Sequence, residues 1–265
     1  MAVREGWSPR LVALDVDGTL VGLDGEAPER VRSAVARVLC AGVPVVLSTG
    51  RSVLATRPVA RDLGLREGWL VCSNGAVIAT VDPPVVTDTT TFDARPVLHL
   101  LRERLPDALI AVEELGIGYR VTAPFPEGEL SGEQVVHDFD SLVREPVTRV
   151  VLRSPDSEPD HFLDVVSQLG LHDVSYAVGY TAWLDIAPQG VTKALGLTTV
   201  CDRLGVRPDD VLAIGDGRND LEMLQWAGHG VAMGHAPAEV QDGADEVTGR
   251  FEDGGSAAVL ERWFG

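Results

Sequence analysis

Leu11–Leu14 is a run of four apolar residues that stops on an acid, and the stretch LVALDVDGTL constrains the fold more than any other in the chain. A strand without polar alternation is buried on both faces, which suits a parallel sheet covered by helices. Val211–Asp216, VLAIGD, repeats the pattern of an apolar run ending in an acid. Ligands of open α/β sheets bind beyond the carboxyl ends of their strands, so both acids stand where a site forms.

Asp15 and Asp17 are two residues apart, and on extended backbone such residues point to one side. Like charges that close are unfavourable unless a cation lies between them or one keeps its proton. Two uses follow: Mg²⁺ binding, and a nucleophile beside a general acid/base. A solvated Asp-x-Asp-Gly turn or a calcium loop satisfies the same four letters. GDGRND, with Asp216, Asn219 and Asp220, is by itself a turn and helix cap. Its agreement with the first motif lifts it, because two strands ending in aspartates could meet around one hard, oxygen-seeking cation.

The spacing gives a βα rhythm interrupted once. Pro28 opens a helix carrying Val31, Ala34, Val35, Val38 and Leu39, a second apolar strand spans Val43–Thr49, and another helix surrounds Val53–Leu63. Trp69–Asn74 supplies a third strand, with Asn74-Gly75 as a hairpin turn into AVIAT. At Pro83-Pro84 the composition shifts. The runs PVVTDTTTF, DALIAVEEL, IGYRVT, TRVVLRS and VSYAVGY, with helices near Ala94–Leu105 and Pro159–Leu169, read as an inserted α+β domain over residues 83–187. Pro188-Gln189-Gly190 is its exit hinge, and residues 1–82 and 188–265 form the core.

At 265 residues the chain is long enough for one large and one smaller domain. A net charge of −18 disfavours nucleic acid, and an anionic substrate would require local positive charge. Lys193 is the only lysine, and its retention just beyond the insert points to a need for a compact ammonium. Ser48, Thr49 and Gly50 end the second strand, where a hydroxyl and backbone N–H groups could hold a phosphoryl oxygen, or simply cap a helix. Cys40, Cys72 and Cys201 are unpaired and scattered, which fits a reducing cytosol. Cys72-Ser73 has no histidine nearby in sequence, so a buried strand cysteine is expected. The histidines, His99, His137, His161, His172, His229 and His235, lack metal-ligand spacing and read as surface or packing residues. Gly116-Ile117-Gly118 is too short for a dinucleotide fingerprint. No run approaches a membrane span or a secretory leader, so a soluble, cytoplasmic protein is expected.

Together DVDGTL, LSTGR, SNGA, the lysine of PQGVTKA and GDGRNDLEMLQWAGHGVAMGHA resemble the haloacid dehalogenase superfamily of phosphohydrolases, in particular its Cof-like branch. The resemblance covers roughly Arg10–Ala79 and Ala182–Phe264. It implies an α/β fold with a Rossmann-like parallel-sheet core and an α+β cap inserted after the third core strand. It also implies Asp15 as the nucleophile that becomes an aspartyl phosphate, and Asp17 as acid and then base, its carbonyl helping to bind Mg²⁺. Asp216 would complete the protein ligands of the metal, with Asp220 beside it. Thr49, Lys193, Asn219 and the backbone at Val16 and Gly50 would hold the phosphoryl group. Gly217 and Ala194 stand where the branch often has Asn and Gly.

Dehalogenases lack a counterpart of Asp17, since a departing halide needs no proton, and the connector before Pro28 is too short for a cap there. The expectation is therefore a Mg²⁺-dependent phosphatase acting on a small phosphorylated metabolite, a sugar phosphate among the candidates. A sugar-phosphate mutase with the same cap, or a binding module without turnover, is the alternative. No nucleic-acid or membrane partner is expected, and a monomer or homodimer fits equally. Arg51, Asn74, Arg120 and Trp183 are candidates to meet the leaving group.

Overall fold

The computed structural model describes residues 6–22, 24–155, 157–168, 174–178 and 182–265. The chain runs through β1 (Leu11–Leu14), α1 (Glu29–Cys40), β2 (Val45–Ser48), α2 (Val53–Asp62), β3 (Trp69–Cys72), β4 (Val77–Thr80) and β5 (Val86–Thr89). Next come α3 (Arg95–Arg104), β6 (Leu109–Glu114), β7 (Gly118–Val121), β8 (Glu133–Val136), α4 (Phe139–Leu142), β9 (Val150–Arg153), α5 (Pro159–Ser167), β10 (Val174–Val178) and β11 (Trp183–Pro188). The last part holds α6 (Lys193–Leu204), β12 (Val211–Gly215), α7 (Leu221–Trp226), β13 (His229–Ala232), α8 (Ala238–Gly243), β14 (Glu246–Val247) and α9 (Gly255–Phe264).

Two compact units result. The first comprises residues 1–51, 56–88 and 192–265, and the second residues 52–55 and 89–191. The first unit is built on a sheet of order β14-β13-β12-β1-β2-β3-β4-β5. Its pairs from β14 to β3 are parallel, and β3 and β4 are antiparallel. All four residues of β1 are fully buried, as its unbroken apolar sequence requires. Leu11 and Ala13 share a core with Leu197 and Val200 of α6 and Met223 and Leu224 of α7. Each such Leu or Val contributes about 1.5–3 kcal/mol through burial. α1 buries Val31, Ala34, Val35 and Val38, the stripe expected of a helix period.

The second unit is a sheet of order β10-β11-β9-β6-β7-β8, antiparallel except between β7 and β8. Ile110, Val112, Val150, Leu152, Leu184 and Ile186 point to one face and pack with Val97, Leu98 and Leu101 of α3, Leu142 of α4, and Phe162 and Val166 of α5. Alternate residues Ala111, Tyr119, Val121 and Val151 pack instead with Phe125 and Leu130. On that same side Arg149 pairs with Asp185 at 2.5 Å and donates to the Tyr119 hydroxyl at 3.0 Å.

Three sequence expectations change. The run PVVTDTTTF, assigned to the insert's strands, supplies β5, which lies at the edge of the first sheet. Arg203 of α6 fixes it there, donating to Thr87 Oγ1 at 2.9 Å and to both oxygens of Asp88. The strand β8 and the helix α4 were not anticipated. EQVV is two polar and two apolar residues rather than an alternation, and α4 is a single turn capped by the Asp138 carboxylate. The third strand ends at Cys72, two residues earlier than expected, because Ser73–Gly75 forms a 3₁₀ turn with Asn74 at φ 55°. His172, Leu169 and the final Gly179-Tyr180 of the VSYAVGY run lie outside the described residues.

Candidate active site

Parallel register places the two acid-tipped strands side by side. Leu14 is level with Ile214, and the Asp15 N–H continues the ladder to the Ile214 carbonyl at 3.0 Å. Asp15 and Asp216 therefore leave the sheet together, at its centre, where β1 lies between β12 and β2. Both side chains are buried.

Lys193 reaches them from the first turn of α6. The Thr192 hydroxyl caps that helix by accepting the Leu195 N–H at 3.2 Å. The Lys193 ammonium donates to Asp15 Oδ1 and to Asp220 Oδ1, each at 2.6 Å, with only 1% of its side chain exposed. The other oxygen of Asp220 accepts the backbone N–H groups of Asp216 and Gly217, at 3.1 and 2.9 Å. Asp220 thus ties the GDGRND turn to the ammonium. Oxygens of Asp15, Asp216 and Asp220 lie within 4.8 Å of one another.

Three buried carboxylates around one ammonium leave negative charge in excess. Burial first, then the Asp220 carboxylate, push the Asp15 carboxyl well above its ordinary value, against the pull of Lys193. Burial and Asp220 raise Asp216 as well, against His235 and Lys193. A hard cation with oxygen ligands relieves this repulsion, so the donor set fits a divalent metal ion of that kind.

Asp17 is placed differently. β1 ends at Leu14, Asp17 forms an isolated bridge with Val21, and the Leu20 and Val21 N–H groups fold back to the Val16 carbonyl at 2.9 and 3.0 Å. The Asp17 side chain is 59% exposed and binds Arg51 through both oxygens, at 2.9 and 2.6 Å. Gly18 makes the turn possible: its φ is +78°, and a Cβ there would lie 2.4 Å from Asp216 Oδ2.

At the end of β2, Thr49 is buried and its hydroxyl accepts the Arg51 N–H at 3.1 Å. The Asn74 N–H donates to the Thr49 carbonyl at 3.0 Å, and Asn219 Nδ2 donates to Asn74 Oδ1 at 2.9 Å. A Cβ on Gly50 would lie 3.2 Å from that same Asn74 oxygen. Hydrogen bonds so link Thr49, Asn74 and Asn219, and Val16 opens the turn after Asp15. Arg120 and Trp183 belong to the second unit. There Arg120 donates to the Ser141 carbonyl at 3.4 Å, and Trp183 donates to Asp185 at 3.0 Å and packs edge-on against Phe125.

One residue read as packing or surface belongs beside these groups. His235 Nε2 lies 3.3 Å from Asp216 Oδ2, and its Nδ1 accepts the Phe251 N–H at 3.3 Å. Spacing on a shared helix could not reveal it, because its partner stands on a different strand. Its place after the apolar run HGVAMG, another strand followed by a polar tip, was the available signal.

An oxygen-lined, cation-seeking cluster at the carboxyl end of a parallel sheet, with a second α+β unit in the chain, defines the class of α/β hydrolytic folds to which comparison then gives a family. The chain belongs to the haloacid dehalogenase-like hydrolases, whose family model matches residues 12–260, and to their Cof-like branch. It is 31% identical over 262 residues to a phosphoglycolate phosphatase of Aeropyrum pernix, covering 97% of this chain and 95% of that protein. It is 26% identical over 278 residues to the 5-amino-6-(5-phospho-D-ribitylamino)uracil phosphatase YcsE of Bacillus subtilis, covering 98% of each. Among solved structures, a haloacid dehalogenase-like hydrolase from Bacteroides thetaiotaomicron superposes with a TM-score of 0.79 at 26% identity, over 97% of this chain and 100% of that one.

Proposed function

We propose that this protein is a Mg²⁺-dependent phosphatase that hydrolyses small phosphorylated metabolites, sugar phosphates among them, through an aspartyl-phosphate intermediate on Asp15. The observation that carries the reading is the buried Asp15 carboxylate, at the tip of the central strand, 2.6 Å from the chain's only lysine and clustered with Asp216 and Asp220. The phosphatase names of relatives aligned over nearly the whole chain support it.

In the first half-reaction an Asp15 oxygen attacks phosphorus, the bond to the ester oxygen breaks, and Asp17 gives that oxygen its proton. In the second, Asp17 takes a proton from water as the water attacks phosphorus, which frees Asp15 and inorganic phosphate. When bound, Mg²⁺ supplies charge neutralisation for the nucleophile and the phosphoryl oxygens, held by Asp15, Asp216 and the Asp17 carbonyl. Lys193 lowers the repulsion between a carboxylate and a phosphate dianion. The Thr49 hydroxyl, Asn219 and the backbone at Val16 and Gly50 orient the transferred group. Asp220 steadies Lys193 and the Asp216 turn. Arg51 and Asn74 contact the substrate beside the phosphoryl group.

Phosphate release from an aryl phosphate tests the proposal. Turnover is expected with Mg²⁺, none with excess chelator, and a loss of at least about 10³-fold in Asp15→Asn, which lacks the nucleophile. Hydrolysis that survives in Asp15→Asn would refute the covalent route. A screen over sugar phosphates, nucleotides and cofactor phosphates then assigns the substrate.

A further inference from the structure

Asp15, Asp216, Asp220 and Lys193 are buried, whereas the Asp17 side chain is 59% exposed, and what holds it is Arg51, whose own side chain is 24% exposed. An aspartate open to water rotates freely unless a partner stops it. The guanidinium does so: Nε donates to Oδ2 at 2.9 Å and Nη2 to Oδ1 at 2.6 Å, a fork that fixes the plane of the carboxylate. The fork stands on a rigid base. The Arg51 N–H donates to Thr49 Oγ1 at 3.1 Å, the Arg51 carbonyl accepts the Ser73 N–H at 2.9 Å, and the Thr49 carbonyl accepts the Asn74 N–H at 3.0 Å, so the end of β2 is stitched to the turn after β3. On the other side the backbone around Asp17 is pinned as well, by its bridge to Val21 and by the Gly18 N–H, which donates to the Val21 carbonyl at 2.9 Å.

We propose that Arg51 is a positioning residue for Asp17 that serves the hydrolytic half of the reaction, holding the carboxylate where it takes the proton of the attacking water. The inference rests on the reading of Asp15 as nucleophile and Asp17 as acid and base. Once Asp17 has given its proton to the leaving oxygen it is ionised, and an ionised carboxylate accepts at both oxygens, which is the form a guanidinium fork grips. Each oxygen keeps a second lone pair while held, so the grip need not open for the next step. In that step the water oxygen bonds to phosphorus, the bond from phosphorus to Asp15 breaks with its electron pair returning to the Asp15 carboxylate, and a water proton passes to Asp17. Base and water must be aligned at that moment, and a misplacement of about 1 Å costs about 10²-fold.

Dinitrophenyl phosphate isolates this step, because dinitrophenolate leaves without needing a proton and Asp17 then acts only on water. After rapid mixing of the full chain with this ester and Mg²⁺, the burst of dinitrophenolate reports phosphorylation of Asp15, and the steady rate that follows reports hydrolysis. In Arg51→Ala the steady rate is expected to fall about 10–10²-fold, with KM falling alongside, since kcat/KM ends at the first irreversible step and does not include hydrolysis. Arg51→Lys, which keeps the charge but not the fork, should recover only part of kcat. A kcat within about twofold of the native value in Arg51→Ala, with or without the raised KM of a binding role, overturns the proposal. Should that variant not fold, Arg51→Lys decides on the same criterion. Asp17→Asn separates the two levels of the argument, and is expected to give a burst equal to the amount of protein and then near arrest. Adding Arg51→Ala to it should slow hydrolysis by no more than about twofold, and a larger loss would mean that Arg51 acts other than through Asp17. No burst in Asp17→Asn removes the covalent reading and the Arg51 role with it, while a trapped burst there beside an undisturbed kcat in Arg51→Ala removes the Arg51 role alone.

Discussion

The Lys193 ammonium spans two aspartates that come from different strand ends, and its chemistry explains why an arginine-rich chain retains it. Burial alone would discharge the amine, and the Asp15 and Asp220 carboxylates more than reverse that, raising its pKa above the ordinary value. A guanidinium is planar and larger, and a side chain 1% exposed leaves it no room. Lys193→Met and Lys193→Arg are therefore both expected to lower kcat/KM on an aryl phosphate by about 10²–10³-fold, the usual cost of removing one preorganised charge-stabilising group. Steady-state kinetics check this, and an arginine variant within tenfold of the native enzyme would show that charge alone suffices.

At the scale of elements, the site depends on how closely α6 sits against the turn after β3. Gly75 has φ +101°, and a Cβ there would lie 2.1 Å from the Thr192 carbonyl oxygen, at the N-cap of α6. One turn along, a Cβ on Gly196 would lie 2.5 Å from Val71 Cγ1. Gly196→Val should push α6 outward and carry Lys193 with it. Urea denaturation is expected to show a loss of about 1–3 kcal/mol from overpacking, with kcat reduced more than KM. A variant with normal kcat would show that α6 can shift without moving its ammonium.

The same elements show what a sequence can disclose. β1 and β12 are legible because full burial dictates unbroken apolar letters, and their acids were legible because nothing else follows both runs. Lys193 was legible through its rarity alone. Asp17 was harder: it lies three residues past the end of β1, in a turn closed by hydrogen bonds to the Val16 carbonyl, and its pairing with Arg51 through both oxygens is not something strand periodicity encodes. β5 was given to the wrong sheet because its place is fixed by Arg203, over 100 residues later in the chain. His235 escaped notice for the same reason. Contacts between side chains from separate strands follow from register, which short-range patterns do not encode.

For the molecule as a whole, the excess of buried carboxylate makes folding stability depend on pH. Burial, then Asp220, raise the folded-state pKa of Asp15 and Asp216, so the native state holds these protons more tightly than the unfolded chain. Their contribution to stability is present in acid and is lost as pH rises from the ordinary carboxylate value through the raised one. Asp88 works in the opposite sense. The Thr87 hydroxyl and Arg203 lower its pKa, and its contribution is lost on acidification. A divalent ion held by this cluster would bind its deprotonated form, so the rise in Tm on adding Mg²⁺ should be larger at neutral pH than in the acid range. Scanning calorimetry with Mg²⁺ or chelator tests this, and Asp15→Asn should flatten the difference. A gain in Tm independent of pH would mean that the ion binds elsewhere.

A chain with one lysine, buried between Asp15 and Asp220, has no side-chain amine on its folded exterior. Acylating labels will therefore pass over the native protein's side chains, and a lysine-specific endoprotease has a single peptide bond to cut, between Lys193 and Ala194. Appearance of the fragments 1–193 and 194–265 would report the opening of the Lys193–Asp15–Asp220 cluster, so that a stained gel becomes a gauge of how firmly an added ligand holds it shut.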